Sequence, residues 1–174
     1  TQAGGKMDLN LNKELAEYCA KTNKHLYVMY GQTEASPRIS YLPHEKSLKK
    51  IGSIGIPIPN GNLSLVDENG QIIYENEVEG ELVYKGSNVC LGYASKISDL
   101  LKEDENDGVL YTGDIAYRDR DNYFYITGRK KRFIKLFGNR INLDDVERSL
   151  NDQICECVCV GNDNLLLVYI VEEK

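Results

Sequence analysis

Five consecutive residues, Tyr30-Gly31-Gln32-Thr33-Glu34, place an aromatic ring, a glycine, a hydroxyl and a carboxylate side by side. The ring can stack on a base, the glycine lets the backbone approach a phosphate, the hydroxyl can bond a phosphate oxygen, and the carboxylate can hold Mg²⁺. A strand end followed by a polar turn would use the same residue types, so the pentapeptide alone leaves both readings open. Further along, Thr112-Gly113-Asp114 presents a single carboxylate from a glycine turn. Such a group is suited to accept hydrogen bonds from the two vicinal hydroxyls of a ribose; an ordinary turn-forming Asp is the alternative. Gly128-Arg129-Lys130-Lys131-Arg132 gathers four cations in a chain whose net charge is -6. A run of this kind is often a solvated patch, but in an acidic chain a compact cationic site points to an anionic ligand such as AMP or pyrophosphate.

The elements that must carry these residues follow from periodicity and turn chemistry. Leu11, Leu15, Tyr18 and Cys19 have the spacing of an amphipathic helix, with Asn10 or Asn12 able to cap it. A strand over His25 to Tyr30 then runs into the Gly31 turn, where open α/β sheets collect ligands. From Gly52 onward short strands are expected at Asn62 to Val66, Gln71 to Tyr74 and Glu81 to Lys85, with a turn at Asp67 to Gly70. A helix is expected over Ser95 to Lys102, where Ile97, Leu100 and Leu101 recur at helical spacing. Strands return at Val109 to Tyr111, Ala116 to Arg118 and Tyr123 to Thr127, with Asp119 to Asn122 as a hairpin turn in which Asn122 takes a left-handed conformation. A basic hairpin over Arg132 to Leu136 and Arg140 to Asn142 turns at Phe137-Gly138-Asn139. A helix from Leu143 to Leu150 follows, capped by Asn142, with Asp144 and Asp145 at its positive end. Strands at Glu156 to Val160 and Asn164 to Val171 close the chain.

Composition narrows the function classes. A net anion repels phosphate backbones, which argues against a nucleic-acid binder. No apolar run approaches the roughly 20 residues that span a bilayer, and the N-terminus lacks a charged segment followed by a hydrophobic one, so a cytoplasmic location is expected. Five cysteines make no disulfide framework in a chain of 174 residues. Cys155, Cys157 and Cys159 alternate, which puts them on one face of a packed strand, and no fourth metal ligand of the usual spacing accompanies them. His25 and His44 have no Ser, Cys or Asp partner at a recognisable spacing and are expected to be surface or turn residues.

Taken jointly, Gly4-Gly5, Tyr30 to Glu34, Gly80-Glu81-Leu82, Gly86, Leu91-Gly92-Tyr93, Tyr111 to Asp114 and Gly128-Arg129 occur in the order seen in the adenylate-forming (AMP-binding) superfamily of acyl-CoA synthetases, peptide-synthetase adenylation domains and luciferases. The chain resembles that superfamily from Gly4-Gly5 to about Leu150. The resemblance implies a mixed α+β fold: the end of an α/β sheet unit, a β-rich subdomain like a distorted barrel, and part of a small α+β C-terminal domain. Residues 1–129 would be the C-terminal portion of a large AMP-binding domain and residues 130–174 the start of a small mobile domain, with the hinge at Lys131. It further implies that Tyr30, Gly31 and Gln32 bind the nucleotide with Tyr30 facing the adenine, that Thr33 meets a phosphate and Glu34 the magnesium, and that Asp114 and Arg129 reach the ribose. Lys135 and Gly138 would face the active site after the small domain swings. The segment around Gly86 and Tyr93 is implied to be mainly structural. The implied activity is an AMP-forming ligation in which ATP, with Mg²⁺, activates a carboxylic acid to an acyl-AMP that passes to coenzyme A or to a carrier pantetheine. A fatty or other small organic acid would be the default substrate, and a non-catalytic nucleotide-binding module is the rival from another class. A Ser/Thr/Gly-rich phosphate loop upstream and a Gly-Lys segment downstream belong to the same pattern and do not occur in these residues, so the chain is expected to be a middle portion of a ligase and by itself at best a weak AMP binder.

Overall fold

In the computed structural model, which describes residues 1–151 and 156–170, helix α1 (Leu9–Lys21) begins at Asp8. The Asp8 carboxylate accepts from the N–H groups of Asn10 at 2.9 Å and Leu11 at 3.0 Å. The cap expected at Asn10 or Asn12 therefore lies upstream of both, because a charged acceptor best meets the unsatisfied N–H groups and positive end of the first turn. Asn12 is instead buried inside the helix. Strand β1 (Val28–Tyr30) is shorter than the expected His25 to Tyr30. His25 and His44 stack on each other, ring centroids 3.7 Å apart, and Tyr27 meets the His44 ring edge-on.

Thr1–Thr127 form one compact unit and Gly128–Lys174 a second. In the first, β1 pairs antiparallel with β2 (Ser40–Leu42), and β2 with β3 (Ile56–Pro57). A second sheet has the order β4 (Asn62–Val66), β5 (Gly80–Lys85), β6 (Val109–Arg118) and β7 (Phe124–Arg129). The class is mixed α+β and both sheets are open; neither closes into a barrel. Ile39, Leu63, Leu65, Leu82, Tyr84, Ala116 and Phe124 form the main core of this unit.

Two expected elements are absent. Gln71 to Tyr74 makes only a bridge, Val66 to Ile72, rather than a strand. The turn before it is as expected, with Gly70 at φ +79° and the Asp67 carboxylate accepting from the N–H groups of Asn69 and Gln71. The segment expected as a helix over Ser95 to Lys102 is a single 3₁₀ turn, Ile97–Leu101. Ile97, Leu100 and Leu101 are 73–88% exposed there, so no buried face rewards extension into an α-helix.

Lys50 ties the loop before β3 to the hairpin between β6 and β7. Its ammonium lies 2.8 Å from Asp119 Oδ2 and 2.6 Å from Asp121 Oδ2, and 5.0 Å from the Tyr123 ring centroid. Burial alone would raise the Asp119 carboxyl, but the Lys50 ammonium and the N–H groups of Tyr123 and Asp121 together outweigh it and hold Asp119 below its ordinary value of 3.8. A carboxyl with a depressed folded pKa stabilises the fold above its ordinary pKa and ceases to do so as pH falls through the depressed one. Lys50→Met is therefore expected to lower the thermal midpoint by roughly a few degrees at neutral pH. The difference from wild type should shrink as the pH of the melt falls through that depressed pKa and Asp119 is protonated.

In the second unit β8 (Phe133–Leu136) and β9 (Asn139–Asn142) form a hairpin, α2 (Leu143–Asn151) follows, and β10 (Cys157–Asn162) pairs with β11 (Leu165–Ile170). Asn142 caps α2 as expected, its Oδ1 accepting from Asp144 N–H at 3.0 Å. Phe137 and Gly138 both have positive φ, +50° and +81°, the signature of a two-residue turn that matches strand twist, so Asn139 belongs to the ladder and not to the turn. Ile134, Leu143 and Cys159 form the core of this unit. Cys157 and Cys159 share a buried face of β10; Cys155 and Val171 lie outside the described residues. Among the described residues no helix is long and apolar enough to cross a membrane.

Candidate nucleotide site

Asp114 was expected on a turn between two strands; it lies within one continuous strand, β6. The pairing of β5 with β6 shows why. Glu81 faces Ile115 and Val83 faces Tyr111, so Leu82 alone opposes Thr112, Gly113 and Asp114. This bulge is absorbed at Gly113, whose φ of +69° a side chain would strain. Thr112 locks it, its hydroxyl donating to Leu82 C=O at 2.8 Å and accepting from Asp114 N–H at 3.1 Å.

The bulge turns the Asp114 side chain towards the end of β1, where it is only 3% exposed. Tyr30 donates its hydroxyl to Asp114 Oδ2 at 2.5 Å, and Gln32 Nε2 donates to the same oxygen at 3.1 Å and to Thr112 C=O at 2.9 Å. A buried carboxylate is costly unless hydrogen-bonded in this way. Tyr30, Gln32 and Asp114, distant in sequence, are thus one site. The Tyr30 ring also packs on the core of this unit, which fixes its plane.

Thr33 and Glu34 occupy a 3₁₀ turn, Thr33–Ala35, directly after Gln32. Gly31 is where the chain passes closest to the return segment: a Cβ built there would sit 1.5 Å from Pro37 C=O oxygen. The turn is held from the other side by Tyr84, Asn88 and Cys90, to which the sequence assigned no role, and by Tyr93, from the segment implied to be mainly structural. Asn88 Nδ2 donates to the carbonyls of Ala35 at 2.5 Å and Arg38 at 2.8 Å, while its Oδ1 accepts from the Tyr84 hydroxyl at 2.8 Å. Cys90 N–H donates to Glu34 C=O at 2.7 Å, and the Tyr93 hydroxyl donates to the Glu34 carboxylate. An Asn two residues after a glycine at a strand end was the available signal for this anchoring.

The cationic cluster belongs to the second unit. Arg129 ends β7, Lys131 lies in an exposed 3₁₀ turn, Lys130–Arg132, and Lys135 lies exposed on β8 with its N–H donating to Asp163 at 2.8 Å. The expectation of one compact anion site over Gly128 to Arg132 needs correction at Arg132. Its guanidinium is 2.6 Å from Asp144 and 2.6 Å from Glu147 and donates to Cys159 C=O at 2.9 Å, so it is neutralised within its own unit. The hydrogen bonds that Arg132 donates to Glu147 and Asp144 raise its pKa, and the Cys159 N–H, ahead of Arg132, draws the Glu147 carboxyl down.

Residues 3–94 match the family model described as AMP-binding enzyme. The chain belongs to the AMP-binding enzyme family. It is 37% identical over 145 residues to a long-chain-fatty-acid–CoA ligase of Salmonella typhimurium, covering 83% of this chain and 25% of that protein. It is 36% identical over 138 residues to a 2-succinylbenzoate–CoA ligase of Bacillus cytotoxicus, covering 79% of this chain and 28% of that one. The solved O-succinylbenzoate coenzyme A synthetase of Bacillus subtilis in complex with AMP superposes with a TM-score of 0.74 at 28% identity, over 99% of this chain and 36% of that one. The chain thus spans about a quarter of the length of these curated relatives. The match to this AMP-binding family includes Tyr30, Gln32, Thr33, Glu34 and the Asn88–Tyr93 segment.

Proposed function

We propose that these residues are part of an AMP-forming ligase that joins a carboxylic acid to coenzyme A. The observation that carries this reading is the buried carboxylate of Asp114, aimed by a bulge at the loop after β1 and held there by Tyr30 and Gln32. In the proposed first step a carboxylate oxygen of the acid attacks the α-phosphorus of ATP, the bond to the β-phosphate oxygen breaks, and pyrophosphate leaves. In the second a thiolate attacks the acyl carbon and AMP leaves with the electron pair. The chain's own contribution is to hold the nucleotide: Asp114 takes the ribose hydroxyls, Tyr30 and Gly31 border the adenine, and Thr33 a phosphate; a ribose role for Arg129 rests on the family resemblance alone. Lys131 is assigned the hinge and Lys135 a role in the active site after domain rotation.

Magnesium fits the donors present. Among the described residues no group of three or more His, Cys, Asp or Glu could cage a metal. A single hard carboxylate, Glu34, beside the Thr33 hydroxyl suits an ion that is otherwise ligated by nucleotide phosphates and water. Bound there, Mg²⁺ would neutralise phosphate charge. The CoA ligases among the relatives favour coenzyme A over carrier pantetheine as the thiol, and both a fatty acid and an aryl dicarboxylic acid stand among their substrates by name. Cys19, Cys90, Cys157 and Cys159 are all free thiols, in keeping with a proposed cytoplasmic setting.

The test is calorimetry on the ligase that contains these residues. AMP should bind, and 2′,3′-dideoxy-AMP, which lacks both sugar hydroxyls, should bind roughly tenfold or more weakly. Equal affinity for the two nucleotides would remove the ribose role from Asp114 and with it the basis of the reading.

A further inference from the structure

The Asn88 amide that holds the loop after Gln32 is itself held in place. The Tyr84 ring lies in the main core, and its hydroxyl donates to Asn88 Oδ1 at 2.8 Å. Two glycines leave room for that bond. A Cβ at Gly61 would lie 2.7 Å from the Tyr84 hydroxyl oxygen, and one at Gly86 would lie 2.8 Å from Asn88 Oδ1 and nearer still to the same hydroxyl. With Oδ1 engaged, Asn88 Nδ2 is turned to the carbonyls of Ala35 and Arg38, to which it donates, and the Ser36 hydroxyl donates to Asn88 C=O at 3.1 Å. The loop needs this hold. It leaves the Thr33–Ala35 turn through Ser36 at φ +55°, a left-handed conformation that a side chain disfavours and that persists only where the surroundings impose it.

We propose that the Tyr84 hydroxyl and the Asn88 amide are positioning groups for the Thr33 hydroxyl, setting it where a nucleotide phosphate is bound. This rests on the phosphate role given to Thr33 above. The path between them is short. Ser36 N–H donates to Thr33 C=O at 3.2 Å, so a fixed Ser36 fixes the Thr33 backbone. Thr33 branches at Cβ and has few rotamers, so placing its backbone places its hydroxyl. Thr33 itself is exposed, and a hydroxyl held in advance spares an incoming phosphate the entropy of ordering the turn. Cys90 N–H donates to Glu34 C=O independently of Asn88, through a backbone bond that no side-chain substitution removes, so loss of Asn88 loosens the turn without releasing it.

The probe is the α,β-methylene analogue of ATP with Mg²⁺, titrated calorimetrically into the ligase that contains these residues, beside a thermal melt of each variant. Asn88→Ala should weaken its binding roughly tenfold, and Tyr84→Phe, which keeps the ring in the core, roughly threefold. Adenosine, which offers Thr33 no phosphate, should bind both folded variants as it binds wild type, read by displacement of the analogue. An equal loss for both ligands overturns the proposal, because the loop has then merely come loose. Thr33→Val should weaken the analogue as well, and adding Asn88→Ala to it should cost little more, since one hydroxyl carries both effects; factors that multiply in the double variant overturn the proposal. Should Asn88→Ala not fold, Tyr84→Phe takes its place in the double variant. If Thr33→Val binds like wild type, the phosphate role of Thr33 fails and the positioning role falls with it. If Thr33→Val weakens binding while folded Tyr84→Phe and Asn88→Ala do not, only the positioning role fails.

Discussion

Asp114→Asn should weaken AMP binding by the parent ligase roughly ten- to a hundredfold, about 1.5–3 kcal/mol, while leaving the protein folded. The argument is one of donors and acceptors. Tyr30 and Gln32 both donate to Asp114 Oδ2, so an asparagine can keep its oxygen at that place and satisfy the same two partners. Its NH₂ then replaces the other carboxylate oxygen, and the acceptor proposed above for the sugar hydroxyls becomes a donor. The loss therefore falls on the ligand, and calorimetry with AMP beside a thermal melt separates it from unfolding. Wild-type affinity in a folded Asp114→Asn protein would mean that the carboxylate serves only to tie β6 to the end of β1.

Gly31→Ala is expected to abolish measurable nucleotide binding and to destabilise the fold by roughly 1–3 kcal/mol or more. A methyl group there would lie 1.5 Å from the Pro37 carbonyl oxygen, 2.6 Å from its carbon and 3.1 Å from Arg38 Cα. All three are backbone atoms, so no rotamer change relieves the overlap and the loop holding Gln32, Thr33 and Glu34 must move. Gly5→Ala is the matched control: a Cβ at Gly5 meets nothing within 4 Å, and that substitution should leave both the melt and the binding isotherm unchanged. A Gly31→Ala protein that melts and binds like wild type would show that the close passage of the two segments is not required.

Turn chemistry made much of this fold legible in advance. Asn122 takes its left-handed conformation at φ +64°, Asn142 caps α2, and Gly138 turns the basic hairpin, because each of these depends on a few adjacent residues. The motifs that carry the family resemblance were legible for the same reason, each being local. What escaped was what depends on partners far away in sequence. Nothing in Thr112-Gly113-Asp114 distinguishes a turn from a bulge; the difference lies in Leu82 across the ladder. Ile97, Leu100 and Leu101 keep helical spacing but find no surface to cover. Arg132 was grouped with its neighbours as a ligand-facing cation, whereas Asp144 and Glu147 on the following helix claim it. Asn88 carries no motif of its own, and its anchoring role emerges only when the loop at Ala35 and Arg38 is brought beside it.

The surplus on β6 amounts to two residues, an even number. Leu110 and Ala116, on either side of it, consequently both meet the same apolar interior. An odd change in chain length anywhere between them would send one of the two outward, since faces alternate residue by residue along a strand. Natural variation across these positions should accordingly be of spelling and not of length: side chains can be exchanged one for another, whereas single-codon insertions and deletions are filtered out, and gaps collect instead in the Asp119 to Asn122 tip.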